Sequence, residues 1–465
     1  MKKILTAALA LCFAMGMWAQ APFCISDSLL NLKDIDSLGL SKAPGQETVV
    51  VFAPTASTDH FSHGIVLCAF KDALYCMWQS SAASEDTDDT WVAYSRSTDD
   101  GQTWSAPAKL DSRTSGYCSS GGWWVNGDTL VAYINVWAQK STAKETDYIT
   151  SVDGLNWSEP QPVRMADGSI LEGIFEQDPH QLADGRIICA AHMLPGLYLT
   201  PLYTDDPSGV RGWQKGVFPY ETNGSQSREM EPSFYVKPGT DTIVMVARDN
   251  KKINGSVSYK KMASVSTDRG EHWTAAYLTE VPDSKAKQSA GNLPDGTAFI
   301  ASNPSGYAGR VPMALLLSAD GTLFNTAYAL RTMSDKPEKK FNGNNSWGYS
   351  YPKSMIHGDW LYVGYAVNKE DVAYTRVPLS AISLRSATAL SPVAADIQLA
   401  LSGRRLQLSL TEPATVSIYS TSGQRLNTFQ AQGESATDLS ALPQGVYLIR
   451  VSHSKGQTTQ KIILK

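Results

Sequence analysis

A turn that recurs six times at a near-constant spacing constrains this chain more than any other feature. It reads Lys71-Asp72-Ala73, Asn126-Gly127-Asp128, Ala183-Asp184-Gly185, Pro238-Gly239-Thr240, Pro294-Asp295-Gly296 and His357-Gly358-Asp359. The middle residues stand 55, 57, 55, 56 and 63 positions apart. Each turn is followed by a short apolar run: Leu74–Trp78, Leu130–Ile134, Ile187–Ala191, Ile243–Ala247, Ala298–Ala301 and Leu361–Ala366. A period of this length, built from strand-forming residues, predicts the blades of a β-propeller. Residues at equal offsets from the turn are then expected at equal radius and height around the central channel.

A second marker follows the same period. Ser97-Thr98-Asp99-Asp100-Gly101-Gln102-Thr103-Trp104 and Ser266-Thr267-Asp268-Arg269-Gly270-Glu271-His272-Trp273 share the pattern S-x-D-x-G-x-x-W. Shortened copies occur at Ser151–Trp157 and Ser318–Phe324, and a degenerate copy at Thr204–Trp213. The pattern is that of a hairpin turn, in which Asp bonds its own backbone, Gly takes positive φ and Trp packs beneath. It resembles the Asp-box of the sialidase superfamily, and the resemblance covers the whole middle of the chain. In that family the Asp-box is structural, so no catalysis and no metal is assigned to it.

The fold class expected is all-β: a six-bladed propeller over residues 50–388, followed by a small Ig-like β-sandwich over 391–465. In the latter, strands are expected at Leu406–Leu410, Val416–Tyr419 and Val446–Val451, and the chain ends Lys461-Ile462-Ile463-Leu464-Lys465. The run Gly445–Val451, a turn at Ser454-Lys455-Gly456 and this last strand resemble the C-terminal sorting domain of type IX secretion in Bacteroidetes. That resemblance implies handling by the type IX machinery and removal of the domain after export. A small carbohydrate-binding sandwich is the alternative.

Residues 1–20 read as a secretory signal: Lys2 and Lys3, an apolar core from Ile4 to Met17, then Ala19-Gln20-Ala21. The apolar run is too short for a membrane span, and residues 21–49 are expected to be a linker or first strand. The chain is therefore placed outside the cell or on its surface. With 42% hydrophobic residues and a net charge of −5, the 465-residue chain has ample core and no basic face for nucleic acid. Loss of residues 1–20 leaves Cys24, Cys68, Cys76, Cys118 and Cys189, an odd number and a poor disulfide framework. Cys68 and Cys76 flank the first turn and either face each other across a hairpin or act as small buried hydrophobes. Twelve Trp and twenty Tyr fit a protein that binds a sugar ring, and equally a propeller that packs aromatics between blades.

The repeat also locates candidate chemistry. Eight or nine residues after each turn lie Ser80, Asn135, His192, Arg248, Asn303 and Val367; seven to nine before it lie His63, Ser119, Gln177, Glu231, Gln288 and Tyr349. Two polar rings at one end of a propeller suggest a solvated mouth with a binding site, although strand ends leaving any core also turn polar. Glu231-Pro232-Ser233-Phe234 and Val246-Ala247-Arg248-Asp249 resemble the sialidase segment that carries the glutamate beside the nucleophile and the second arginine of a carboxylate-binding triad. Arg310 matches the third arginine. Tyr349, in Gly348-Tyr349-Ser350-Tyr351-Pro352, matches the tyrosine nucleophile, with Tyr351 a neighbouring candidate. Glu85 or Asp86 falls where the family places its acid/base carboxylate.

The pattern departs at the first blade. Ser62, in Phe61-Ser62-His63-Gly64-Ile65, stands where sialidases carry the first arginine. Sialidase-like propellers with histidine here include enzymes acting on rhamnosyl-glucuronate and ulvan-type uronates, some hydrolases and some lyases. The resemblance thus implies exo-hydrolysis of a terminal acidic sugar, with Arg248 and Arg310 as guanidinium forks for a carboxylate. A uronate-directed glycosidase or lyase using His63, His180 or His192 is the first alternative, and a non-catalytic glycan-binding propeller the second. His180 has also the plain reading of a strand histidine bonded to Asp178. No cofactor or metal is expected. The partners expected are a glycan substrate and the secretion machinery, with no nucleic acid and no transmembrane segment.

Overall fold

The structure, a computed structural model, describes residues 21–110, 117–139, 142–177, 179–253, 256–341, 347–385, 397–420, 425–453 and 456–464. The expected signal at 1–20 lies outside these residues. Two compact units are present: one holds nearly everything up to Ile382, the other Pro294–Gly296 and Ser383–Lys465. Among the described residues no helix is long and apolar enough to cross a membrane.

The first unit is a β-propeller made of six antiparallel sheets, one for each copy of the turn. The inner two strands of each sheet form the hairpin closed by that turn: Phe61–Phe70 with Ala73–Ser81, Tyr117–Asn126 with Thr129–Gln139, and so on to Tyr349–His357 with Trp360–Val367. The apolar runs identified in the sequence are the second strands, buried almost throughout. They are apolar on both faces because each sheet is covered on both sides by its neighbours. The core accordingly lies in layers between successive blades. One layer joins Val66, Met77 and Tyr94 to Trp123, Leu130 and Ile149; another joins Val131 and Tyr133 to Phe175, Ile187 and Trp213.

The ring is closed by the N-terminal segment. Glu47–Phe52 pairs antiparallel with Asp371–Pro378 and becomes the outermost strand of the last blade. The segment before it is also tied down: Phe23 is buried edge-on against Tyr235 and Phe324. Residues 21–49 are therefore an ordered strap.

The Asp-boxes fold as the pattern requires. Asp99 accepts the Thr103 N–H at 2.9 Å and the Ser97 hydroxyl at 2.8 Å, and Trp104 Nε1 donates to the Gly101 carbonyl at 3.1 Å. Asp268 and Trp273 repeat this arrangement, and Trp213 Nε1 donates to the Gly209 carbonyl at 2.9 Å in the degenerate copy. Each glycine holds positive φ, and four of them abut a tyrosine of the preceding blade. The Tyr133 hydroxyl donates to Gly209 O at 2.7 Å, Tyr235 to Gly321 O at 2.7 Å and Tyr374 to Gly101 O at 3.2 Å; Tyr75 reaches the carbonyl of Asp153, beside Gly154, at 3.5 Å. Part of the tyrosine content is thus a set of latches between blades.

Among the described residues none of the five cysteines from Cys24 onward forms a disulfide. Cys68 pairs across the hairpin with Tyr75, and Cys76 with Leu67, so the two thiols are one position out of register. Burial pushes the Cys68 thiol up to about 12, and Cys76 higher still. They are small buried hydrophobes.

The second unit is a single bent sheet. The long strands Arg405–Ser420 and Arg425–Asp438 pair with each other along their length, with a bulge between Leu410 and Ala414. Before the bulge Ile397–Ser402 pairs alongside; after it Gly445–His453 and then Gly456–Leu464 take over. Alternate residues Leu406, Leu408, Leu410, Val416, Ile418, Ile449 and Val451 form its core.

A methyl group at Gly209 would overlap the Tyr133 hydroxyl and force an L-residue into φ +69°. Gly209→Ala is expected to cost about 1–3 kcal/mol, and Tyr133→Phe about 1 kcal/mol. Urea unfolding of both variants checks this; equal stability of Gly209→Ala and the parent would refute the latch.

Candidate active site

The inner strand of a blade meets the central channel, and in this chain several inner strands are interrupted there. In the fourth blade the ladder runs Met230↔Arg248 and resumes at Ser233↔Val246. In the sixth it runs Ser350↔Ala366 and resumes at Lys353↔Gly364. The first blade skips in the same way between His63 and Val66. Each bulge places one residue in the left-handed region: Gly64 at φ 61°, Glu231 at 54° and Tyr351 at 57°. Glu231 and Tyr351 are each followed by proline, which both the sheet-edge position of these strands and the break in the ladder accept. Positive φ at a glutamate and a tyrosine is sparsely populated and concentrates at functional positions.

The two bulges aim their side chains at each other. The Tyr351 hydroxyl donates to Glu231 Oε1. Arg248 Nη1 donates to Glu231 Oε2 at 2.9 Å and to the Tyr351 hydroxyl at 3.2 Å. The Arg310 guanidinium lies 5.0 Å from the Tyr351 ring centroid and donates to Ser350 Oγ at 3.0 Å. No carboxylate among the described residues forms an ion pair with it. Around the same ring, Lys287 Nζ lies 5.7 Å away, and His63 packs at 4.2 Å between centroids with the rings tilted by 42°.

Charge sets the protonation states. Burial, followed by Glu231, pushes the Tyr351 phenol far above its ordinary value, with Arg248 and Arg310 opposing. Burial also works to raise the Glu231 carboxyl, but Arg248, Lys287 and the Tyr351 hydrogen bond outweigh it and hold the group below the ordinary carboxylate value. The pair is a neutral phenol donating to a carboxylate. His63 is held well below its ordinary value, first by burial and then by Lys369, Arg310 and Lys287, so its imidazole is neutral.

The sequence-based candidates fall into three groups. Glu231, Arg248, Arg310 and His63 converge on Tyr351, as described. Glu85 and Asp86 line the same cavity: Glu85 contacts Lys369 Nζ and lies 3.7 Å from His63 Nε2, while Asp86 accepts the Tyr117 hydroxyl at 2.7 Å. His192 lines the cavity from the third blade. Two candidates lie elsewhere. Tyr349 is fully buried, with its hydroxyl on the Thr332 carbonyl at 3.0 Å and Arg331 over its ring at 4.9 Å. It remains in the regular ladder opposite Val367, one step before the bulge, and does not reach Glu231. His180 pairs with Ile188 and packs edge-on against Phe234, away from the cavity lining; Asp178 lies outside the described residues.

Counting offsets missed Glu176, Lys287 and Lys369. Lys287 Nζ donates to Gln177 Oε1 at 2.8 Å and pairs with Glu176 at 2.7 Å, and Glu176 in turn contacts His192 Nδ1. Glu176 and Lys287 directly precede the ring members Gln177 and Gln288, and both lie just outside a strand, Gly173–Phe175 and Ser289–Asn292, where alternation no longer fixes the face. Lys369 is a buried cation beside Phe61, its backbone carbonyl accepting the Ser62 N–H at 2.9 Å. A lysine from the last blade therefore stands beside the position where an arginine was expected.

Arg248→Met leaves Glu231 buried without its main counter-charge and is expected to cost about 3–5 kcal/mol at pH 7. In the parent the Glu231 carboxyl sits below its unfolded value, so its contribution is present above about pH 4.3 and is lost as pH falls through the folded value. In the variant unopposed burial raises the carboxyl, so stability is lost as pH rises. The gap between the two melting temperatures should therefore narrow from pH 7 to pH 4; a constant gap would contradict the pairing.

No curated protein sequence matches this chain significantly. Residues 72–364 match the family described as BNR repeat-like domain, and residues 396–465 match the secretion system C-terminal sorting domain. The Hadza microbial sialidase Hz136 is similar in structure, with TM-score 0.57 and 15% identity over 72% of this chain and 69% of its own. A protein of unknown function from Dyadobacter fermentans gives TM-score 0.54 and 16% identity over 72% of this chain and 99% of its own. Trypanosoma rangeli sialidase, solved as a covalent intermediate with 2,3-difluorosialic acid, gives TM-score 0.54 and 12% identity over 91% and 89%. At such identities the likeness is one of fold. With the sorting domain at its C-terminus, this protein is secreted or attached to the cell surface, and the chain belongs to the BNR repeat-like domain family.

Proposed function

We propose that this protein is an exo-acting glycoside hydrolase that removes a terminal acidic sugar, reached after export directed by residues 1–20 and the sorting domain. The observation that carries the reading is the Tyr351–Glu231 pair flanked by Arg248 and Arg310. A neutral tyrosine donating to an ionised carboxylate is an activated nucleophile whose proton has a place to go. An uncharged nucleophile suits an anomeric centre that carries a carboxylate, where Asp or Glu would be repelled, and sialidases are the tyrosine exception among glycosidases. Arg310, without a carboxylate partner among the described residues, together with Arg248, supplies a fork for the ligand's own carboxylate.

In this scheme the Tyr351 oxygen bonds to the anomeric carbon while its proton passes to Glu231. The glycosidic bond breaks, and its oxygen takes a proton from Glu85 or Asp86. Water then displaces Tyr351 from the sugar, giving a proton to the same Glu85 or Asp86 carboxylate, while Glu231 returns its proton to the Tyr351 oxygen. One observation favours a second reading. His63 is neutral, buried, packed against the Tyr351 ring, and neither ring nitrogen has a hydrogen-bond partner. A base so placed suits abstraction of a proton from a uronate ring.

Release of a fluorophore from an aryl sialoside and an aryl glucuronide tests the scheme. Tyr351→Phe should lower turnover at least 10²–10⁴-fold, whereas Tyr349→Phe should stay within about threefold. Turnover lost in Tyr349→Phe and kept in Tyr351→Phe would overturn the assignment. An ultraviolet-absorbing unsaturated product from a uronate polymer would favour the lyase reading, and binding without turnover a glycan-binding propeller.

A further inference from the structure

The cavity beside Tyr351 holds roughly 200 Å³ and extends away from Arg248 and Arg310 toward the second and third blades. Its far wall combines apolar side chains, Ile174, Leu197 and Met230, with the stacked rings of Tyr117 and Trp137, 5.2 Å apart. Most polar side chains there are already engaged. Asn135 is bonded to both backbone groups of Phe175, Trp137 Nε1 to Ser119 Oγ, the Tyr117 hydroxyl to Asp86 and the Gln177 amide to Ser120 and Lys287.

His192 is different. It is 1% exposed, and its Nε2 has no hydrogen-bond partner. Its orientation is fixed from behind, because Nδ1 contacts Glu176 Oε1 and Lys287 pairs with Glu176 Oε2 at 2.7 Å. Burial works to raise the Glu176 carboxyl, but Lys287 and His192 overcome it and keep the group ionised. The carboxylate accepts at Nδ1, so Nδ1 carries a proton, and Nε2 is the ring atom left open to the cavity. A buried polar atom left open beside a reactive centre calls for an occupant that hydrogen-bonds to it.

We propose that His192 is the specificity residue of this cavity, its Nε2 hydrogen-bonding a hydroxyl or amide group of the uncharged substituent on the acidic sugar, with Glu176 and Lys287 as its positioning residues. The inference rests on the acidic-sugar reading of the site. It adds that the site discriminates by a hydrogen bond remote from the reacting carbon, and that an acid lacking that group is penalised because Nε2 stays unpaired.

The test compares N-acetylneuraminic acid, glucuronic acid and the stripped analogue tetrahydropyran-2-carboxylic acid by calorimetry on the full chain, while NMR follows the His192 Nε2 nitrogen. At least one sugar acid should bind about tenfold more tightly than the stripped acid and shift the Nε2 resonance. His192→Phe should erase that preference and leave the stripped acid's affinity unchanged. A preference that survives in His192→Phe, or a sugar acid that binds without moving Nε2, overturns the proposal and leaves the acidic-sugar reading intact. If no acid binds, that reading fails instead. Neutral N-acetylmannosamine then decides: a shifted Nε2 keeps the subsite, and an unmoved one removes it. Should His192→Phe not fold, the parent's Nε2 signal alone separates the outcomes, a shift with sugar acid supporting the proposal and no shift overturning it.

Discussion

The pairing of Glu47–Phe52 with Asp371–Pro378 is the contact on which the rest depends. The groups around Tyr351 come from blades distant in sequence: His63 from the first, Glu176 from the third, Glu231 and Arg248 from the fourth, Lys287 and Arg310 from the region of the fifth. Apart from Glu231 and Arg248, which share one hairpin, none of these distances is set locally. A closed ring fixes the angle between every pair of blades, and a strand borrowed from the start of the chain is what closes it. The cost of bringing together segments more than 300 residues apart is met by a ladder interrupted only between Val50 and Phe52 and by packing of Val51 and Phe52 against the neighbouring blade.

Within the closed ring, electrostatics and backbone strain work together. Glu231 and Tyr351 sit at φ values that only a surrounding structure can enforce, and their charges and hydrogen bonds compensate one another. Four cations, Arg248, Arg310, Lys287 and Lys369, surround a phenol and a neutral imidazole, with carboxylates interleaved. Three of the cations have acidic partners: Arg248 with Glu231, Lys287 with Glu176, Lys369 with Glu85. Arg310 is balanced by an aromatic face and a hydroxyl, which leaves its charge available to a ligand.

The period of the turn made the sheets, their hairpins and the apolar second strands legible, because all three follow from local composition. The offset count also carried Glu231, Arg248, His63 and His192 to the mouth. It failed between Tyr349 and Tyr351, since counting assumes an unbroken alternation and a bulge inserts a residue. Pro352, like Pro232 after Glu231, was the available signal, because proline inside an inner strand marks the break. Lys369 was invisible for another reason. It enters the site from the last blade's second turn and has no counterpart in the repeat. The tyrosine content, ambiguous in the sequence, is partly explained by latches whose partners lie a full repeat away.

Those latches bear on how such a ring can be inherited. Each tyrosine sits on one blade and its glycine carbonyl on the next, so a single sheet is not self-sufficient. A copied or exchanged segment that began and ended at blade borders would bring a tyrosine without its acceptor at one edge and an acceptor without its tyrosine at the other. The segment that carries its own bond runs from the first strand of one sheet, where Tyr235 lies, through the Asp-box of its successor. The seam of the ring is joined by the same device: Tyr374, on Asp371–Pro378, donates to the Gly101 carbonyl of the first blade, so a latch and the borrowed strand Glu47–Phe52 both tie the last blade to the start of the chain.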